Sequence, residues 1–310
     1  MADTDGHSGG FLEHLILPSV RFFTLEHYRL RKRYGSTKLR VRNLLPYWPE
    51  AGLWRNGDRP DVLVLQKAYG SHPSAPVMIL DICDPDWEQN DQVMSTVRQV
   101  DAVTCPTEAL ADVLRVHARR VVVIPDRHDL ARLPSPRGHH EVARRIVWFG
   151  QHQNALALES LIPTIEQSEL SLTVVSDRNP HVYRYADRPH AFRRCCSYSR
   201  FRWRTIHALL REHDVCLVPR RNVPSDGFKS DNRETLALLC GVPSARSPQE
   251  LLALAADPAL RSRRAIEGRA WAQQHRDCRQ SVAELQALIA TLTPGEDSSR
   301  PAFPQTLIGS

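Results

Sequence analysis

Short apolar runs alternate with amphipathic stretches along most of the chain. The runs at His14–Leu17, Asp61–Leu65, Val77–Leu80, Ala102–Thr104 and Val121–Ile124 predict a first set of strands. A second set follows at Ile146–Phe149, Leu170–Val175, Val215–Val218 and Val242–Pro243. Between them, Glu108 to Ala118 places Leu110, Val113, Leu114 and His117 on one helical face, and Leu156 to Gln167 does the same with Leu158, Leu161, Ile162 and Ile165. Apolar strands alternating with helices predict parallel sheets covered on both faces.

The alternation pauses once, at Pro125–Arg144, which holds Pro134, Pro136, Gly138 and the pair His139–His140 but little apolar material. This segment reads as a linker between two doubly wound domains of an α/β protein. The expected division is residues 1–142, then 143–293 with a run of terminal helices, then a Pro/Ser-rich tail at 294–310.

Composition narrows the class. Hydrophobic residues are 42% and charged residues 25% of 310 positions, which excludes a disordered tail or a coiled coil. No run of 18 or more apolar residues encodes a membrane-crossing helix, and the polar start Met1–Gly10 is unlike a secretion signal. The seven cysteines form no CxxC pair, so free thiols in a reducing cytoplasm are expected, and zinc ligation is not. The net charge is +6, yet only Lys32, Lys38, Lys67 and Lys229 of the 41 basic residues are lysines. A chain that uses lysine so sparingly makes each lysine worth placing.

Lys229 falls in the most informative segment, Val218 to Pro243. It reads as strand, polar loop, helix, then Gly241-Val-Pro243 into the next strand. Lys229, Ser230 and Asn232 stand at the helix start, where free backbone N–H groups and the helix dipole favour an anion. A capped surface helix would carry similar residues; the lysine, a full positive charge, points to a diphosphate.

Lys229-Ser-Asp-Asn-Arg233, an apolar helix and Gly-x-Pro together resemble the donor-binding segment of GT-B glycosyltransferases, especially the retaining family-four type. Other pieces resemble that family in the same order: Ser36–Asn43, Asp81-Ile-Cys-Asp84, Val103–Glu108, Val123–Pro125, Arg145–Asn154, Thr173–Asp177, and Trp203 followed by Glu212–Pro219. The resemblance spans about Ser36 to Glu250. It implies two Rossmann-like domains facing a cleft, with a trimmed N-terminal domain on the acceptor side. It also implies a nucleotide-diphosphate sugar as donor, bound by Gly150, His152, Lys229, Ser230, Asn232, Arg233 and Glu234, and retention of anomeric configuration. One departure concerns the donor ribose: where the family often carries glutamate, this chain has Leu236, with Glu234 two residues earlier.

On the acceptor side, Asp81, Asp84 and Asp86 surround a strand end. Asp84-Pro-Asp86 is formally a metal-binding DxD, or else a strand-end turn. Two consecutive Rossmann-like halves favour a metal-independent reaction without a cofactor, with Lys229 offsetting the leaving diphosphate and Asp84 orienting the acceptor. His14 is a candidate base toward an acceptor hydroxyl. Two stretches free of acids, Tyr28–Arg42 and Arg188–Arg211, each carry seven Lys/Arg interleaved with aromatic residues. They point to an anionic acceptor, such as modified-base DNA, a lipid-linked sugar or a charged polysaccharide, or else to arginine-rich solvated surface. The expected activity is therefore glycosyl transfer in the cytoplasm. The alternatives are a nucleic-acid-binding or scaffold protein with a degenerate donor site, and a nucleotide-sugar epimerase of the same fold.

Overall fold

A computed structural model describes residues 17–28, 34–179, 196–221 and 223–293. The first sheet contains β1 (Val20–Thr24), β2 (Ala51–Leu53), β3 (Val62–Gln66), β4 (Val77–Asp81), β5 (Ala102–Cys105) and β6 (Val121–Val123). All its pairings are parallel, in the order β2-β1-β3-β4-β5-β6. The second contains β7 (Arg145–Gly150), β8 (Ser171–Ser176), β9 (Cys196–Arg200), β10 (Val215–Leu217) and β11 (Ser244–Ala245), also parallel, in the order β11-β10-β7-β8-β9. β3 is buried at all five positions, as a central parallel strand covered on both faces must be.

The first strand is not the expected His14–Leu17 run. β1 lies further on, where Val20, Phe22, Phe23 and Thr24 are buried, while Leu17 is 57% exposed and residues 14–16 lie outside the described residues. β2 and β9 are short edge strands whose sequences, AGL and CSYSR, carry no apolar run to reveal them. The Leu156–Gln167 stretch divides into a 3-10 segment at His152–Ser160 and an α-helix at Ile162–Glu166, with Pro163 in the first turn of the latter. The last strand starts one residue beyond the expected Val242–Pro243, after Gly241 (φ +76°) closes the preceding helix in the left-handed region.

The closing helix, Cys278–Leu292, departs from the expected division. Its Cys278, Val282, Leu285, Leu288 and Ile289 pack with Val20, Phe22, Val41 and Ile79 in the core of the first half. The chain therefore crosses between the halves twice. The crossings touch at His128, whose backbone N–H donates to Arg276 O at 2.9 Å and whose carbonyl accepts from Cys278 N–H at 3.0 Å.

The linker is tied down by buried polar groups: Asp126, Arg127, His128, Asp129 and His139 are all buried. Burial pushes the pKa of His128 down to about 4, and its Nε2 lies 3.1 Å from Asn232 O. Its folded value lies below the ordinary 6.5, so the stability it contributes is complete above pH 6.5 and is lost as pH falls towards 4. A shift of that size corresponds to about 3 kcal/mol. Urea unfolding at pH 7 and pH 4.5 should therefore show a smaller acid loss in His128→Asn than in the wild type. Among the described residues, no helix is long and apolar enough to cross a membrane.

Candidate active site

The carboxyl ends of the two parallel sheets face each other, which is where ligands bind in open α/β sheets. Several contacts across this junction define it. Trp87, beyond β4, meets Phe228, beyond β10, edge to face at 5.8 Å. Thr107 Oγ1 donates to Phe228 O at 3.2 Å. Trp203, beyond β9, lies 3.5 Å from where a Cβ on Gly35 would stand.

Lys229 follows Phe228 directly. Its Nζ donates to Asp226 Oδ1 at 2.6 Å and to Asn154 Oδ1 at 3.3 Å. Asn154 follows the Gly150 turn of β7, so the lysine reaches from the β10 loop over the mouth of β7. Burial pushes the carboxyl of Asp226 up, but the Lys229 hydrogen bond, the Arg221 N–H and both cations hold it below its ordinary value. The Asn232–Leu239 helix begins beside this lysine with no side-chain cap, leaving its first-turn N–H groups for another acceptor.

The other residues of the segment divide into four roles. Arg233 lies 5.7 Å over the Trp148 ring and donates to Phe149 O at 3.3 Å; burial lowers its pKa, and no described carboxylate pairs with it. A Cβ on Gly150 would stand 3.1 Å from Trp148 and 3.3 Å from this guanidinium, so any larger residue would press on the arginine's seat. Ser230 and Asn232 turn to the linker instead: Asp126 Oδ2 accepts from Ser230 Oγ at 2.6 Å and from Asn232 Nδ2 at 3.2 Å. Glu234 accepts from Ser244 Oγ at 2.6 Å and pairs with Arg246. Leu236 is 2% exposed, within the apolar core beneath β7 and β10. His152, two residues after Gly150, turns to the end of β8: its backbone N–H donates to Asp177 Oδ1 at 2.9 Å and its Nδ1 lies 3.1 Å from the same carboxylate.

On the facing half, Lys67 Nζ contacts Asp84 Oδ2 at 2.6 Å and Asp86 Oδ1 at 2.9 Å, and Tyr69 Oη donates to Asp86 at 2.6 Å. Lys67 has φ 49°, the one non-glycine in the left-handed region among the described residues. Such backbone conformations are costly and cluster at functional sites. Burial would lower the pKa of this lysine, but Cys83, Asp84 and Asp86 outweigh it and raise it. Asp84 is the outward member of the cluster, with its side chain 49% exposed. Among the described residues, no group of three His, Cys, Asp or Glu is placed to hold a metal ion.

Arg40, in the middle of the first basic stretch, is only 8% exposed. It sits in the π-helical turn Lys38–Arg42, pairs with Asp81 at 2.6 Å and Asp126 at 3.0 Å, and donates to Ile124 O at 2.9 Å. Arg42 pairs with Glu26 at 2.6 Å. The first basic stretch is therefore partly neutralised by acids distant in sequence, and its residues 29–33 lie outside the described residues, as does His14. Sequence reading missed Asp126 and Asn154. Asp126 stood in a segment read as linker, and Asn154 carries no signal until the fold brings it to Lys229.

No family model and no curated protein matches the chain. Solved structures do. HepE from Anabaena, in complex with UDP, matches with a TM-score of 0.61 at 12% identity over 87% of this chain and 100% of its own. AviGT4, a glycosyltransferase involved in avilamycin A biosynthesis, matches with a TM-score of 0.54 at 13% identity over 88% of this chain and 98% of its own. TarM from S. aureus, in complex with UDP among other ligands, matches with a TM-score of 0.54 at 9% identity over 74% of this chain. The chain spans 54% of the length of TarM. The fold is GT-B. At these identities the likeness extends to the arrangement of the two sheets and their helices, and the chemistry rests on this chain's own side chains.

Proposed function

We propose that the protein transfers a glycosyl group from a nucleoside diphosphate sugar to a hydroxyl of an anionic acceptor. The observation that carries this reading is the position of Lys229: a partly buried ammonium at the carboxyl end of the second sheet, beside an uncapped helix N-terminus and above the Gly150 turn. Phosphate charge is best offset by such a fixed cation with free backbone N–H groups. The neighbours HepE and TarM, both in complex with UDP, support a uridine nucleotide as the first donor to try.

In this reading the bond from the anomeric carbon to the diphosphate oxygen breaks as the bond to the acceptor oxygen forms. The electron pair goes to the diphosphate, where Lys229 and the first-turn N–H groups receive it. The acceptor hydroxyl is oriented by Asp84, and its proton leaves to the departing phosphate oxygen. Ser230 and Asn232, held by Asp126, fix the start of the donor helix rather than grasping phosphate in the conformation described. Retention of configuration follows the sequence resemblance. No divalent ion is needed, because Lys229 provides the charge and Lys67 already bridges Asp84 and Asp86. The acceptor class includes modified-base DNA and lipid-linked sugars.

Incubation with a panel of nucleotide sugars, followed by release of nucleoside diphosphate, tests the reading. Release from at least one donor is expected, unchanged by EDTA. Absence of release, together with no donor-induced thermal shift, contradicts the transferase and favours a scaffold with a degenerate donor site, for which Leu236 is the observation. Loss of release in EDTA restores a metal role to Asp84 and Asp86.

A further inference from the structure

Lys67 leaves β3 in the left-handed region, with φ 49°, although it carries a full side chain. Its backbone N–H donates to Asp81 O at 3.0 Å, so the turn follows directly on the last pairing with β4. The side chain then crosses the exit of β4, where Nζ lies 2.6 Å from Asp84 Oδ2 and 2.9 Å from Asp86 Oδ1. Lysine is costly in that backbone region and glycine is not. The two ion pairs, made by a lysine side chain only 13% exposed, offset that strain.

The carboxylate oxygens are shared out unequally. Asp86 is engaged at both: Oδ1 by Lys67, and Oδ2 by Tyr69 Oη at 2.6 Å. Asp84 is engaged at Oδ2 by Lys67 and by the Cys83 thiol at 3.6 Å, while its Oδ1 accepts from no described residue. Asp84 is also the more open, with a side chain 49% exposed against 21% for Asp86. Its Oδ1 is therefore left for a partner from solution. The cluster lies on the cleft side: Trp87 follows Asp86, and its contact with Phe228 joins this end of β4 to the residue before Lys229.

Two carboxylates spaced to share one cation suit a hard divalent ion. The ammonium takes that place with half the charge, so the lysine and the two carboxylates together carry one net negative charge. Such a site attracts a hydrogen-bond donor and repels a phosphate. We propose that Lys67 is the positioning residue of the acceptor site: it stands where a divalent ion would bridge Asp84 and Asp86, and it holds Asp84 with Oδ1 open to an uncharged acceptor hydroxyl. Any phosphate of the acceptor is held elsewhere. The use toward an acceptor rests on the transferase reading; the ammonium in the place of a metal does not.

Lys67→Gly tests this, since glycine keeps the left-handed turn without strain and removes the ammonium. On the full chain without donor, Mn2+ binding is followed by loss of the free-ion EPR signal at about 0.1–1 mM, the range of weak carboxylate sites. The wild type should leave the signal unchanged, Lys67→Gly should bind a single Mn2+, and the double variant Lys67→Gly, Asp84→Asn should lose it. Nucleoside diphosphate release by Lys67→Gly should fall about 100-fold, the cost of misplacing a reacting group. Mn2+ should restore part of that rate while leaving the wild type unaffected, a recovery that a merely structural lysine does not give. The donor-induced thermal shift should be the same in both proteins. The proposal is overturned if Lys67→Gly binds no Mn2+, if the wild type binds it equally, or if release by the variant stays at the wild-type level or fails to recover with metal. Absence of release from the wild type with every donor contradicts the transferase reading instead, and the Mn2+ titration still decides the place of the cation.

Discussion

Lys229→Ala should lower nucleoside diphosphate release by a factor of about 100 to 1,000, the cost of removing one preorganised group that stabilises developing charge. The loss should fall on kcat and kcat/KM together, because the charge it offsets grows as the glycosidic bond breaks. Folding should survive. The lysine side chain is 26% exposed, and after its removal Asp226 retains the Arg221 backbone N–H at 2.7 Å and the Arg221 guanidinium. Lys229→Arg should recover only part of the rate, since a planar fork cannot reproduce a compact ammonium aimed between Asn154 and Asp226. Steady-state kinetics on both variants, with circular dichroism as the folding control, checks this. A Lys229→Ala enzyme with normal turnover contradicts the assignment.

Arg40→Met should cost about 3–5 kcal/mol of stability, the usual consequence of breaking a buried charge network from one side. The substitution leaves Asp81 and Asp126, 5% exposed each, buried without their cation. The pH dependence separates this mechanism from a simple packing defect. In the wild type, burial pushes the carboxyl of Asp126 up, but Arg40 and the hydrogen bonds from Ser230, Arg40 and Asn232 hold it below its ordinary value. A depressed carboxyl contributes stability above its unfolded pKa and loses it as pH falls through the folded value. Without Arg40 the carboxyl can protonate at a higher pH, which relieves the unpaired charge. The difference between variant and wild type in urea unfolding should therefore be largest near neutral pH and shrink towards pH 4. A difference constant with pH would assign the loss to packing instead.

The two sheets were legible because their central strands are continuous apolar runs: Asp61–Leu65, Val77–Leu80 and Ile146–Phe149 cannot lie on a solvated face. The edge strands β2 and β9 were not, because they bury little and take their shape from the neighbour they pair with. The crossing of the last helix was hidden for a related reason. Its apolar stripe, from Val282 to Ile289, shows that a face is buried but not which half buries it. Lys229 stands out through chemistry and scarcity: a lysine in an arginine-rich chain, at the start of a helix after a strand, which the fold brings over the mouth of β7. Arg40 shows the limit of counting charge along a sequence. It stands in a stretch without acids, yet Asp81 and Asp126, 41 and 86 residues away, take up its guanidinium. Asp126 itself was concealed in a proline-rich segment, although it joins the first half to Ser230 and Asn232 at the start of the Asn232–Leu239 helix.

The most direct measurement is a crystal structure of the protein soaked with UDP, or with whichever nucleoside diphosphate gives the largest thermal shift. The expected result places the diphosphate within hydrogen-bond distance of Lys229 Nζ and the first N–H groups of the Asn232–Leu239 helix, beside Gly150. A nucleotide bound on the facing half, or one whose phosphates lie away from Lys229, contradicts the donor site proposed for this fold.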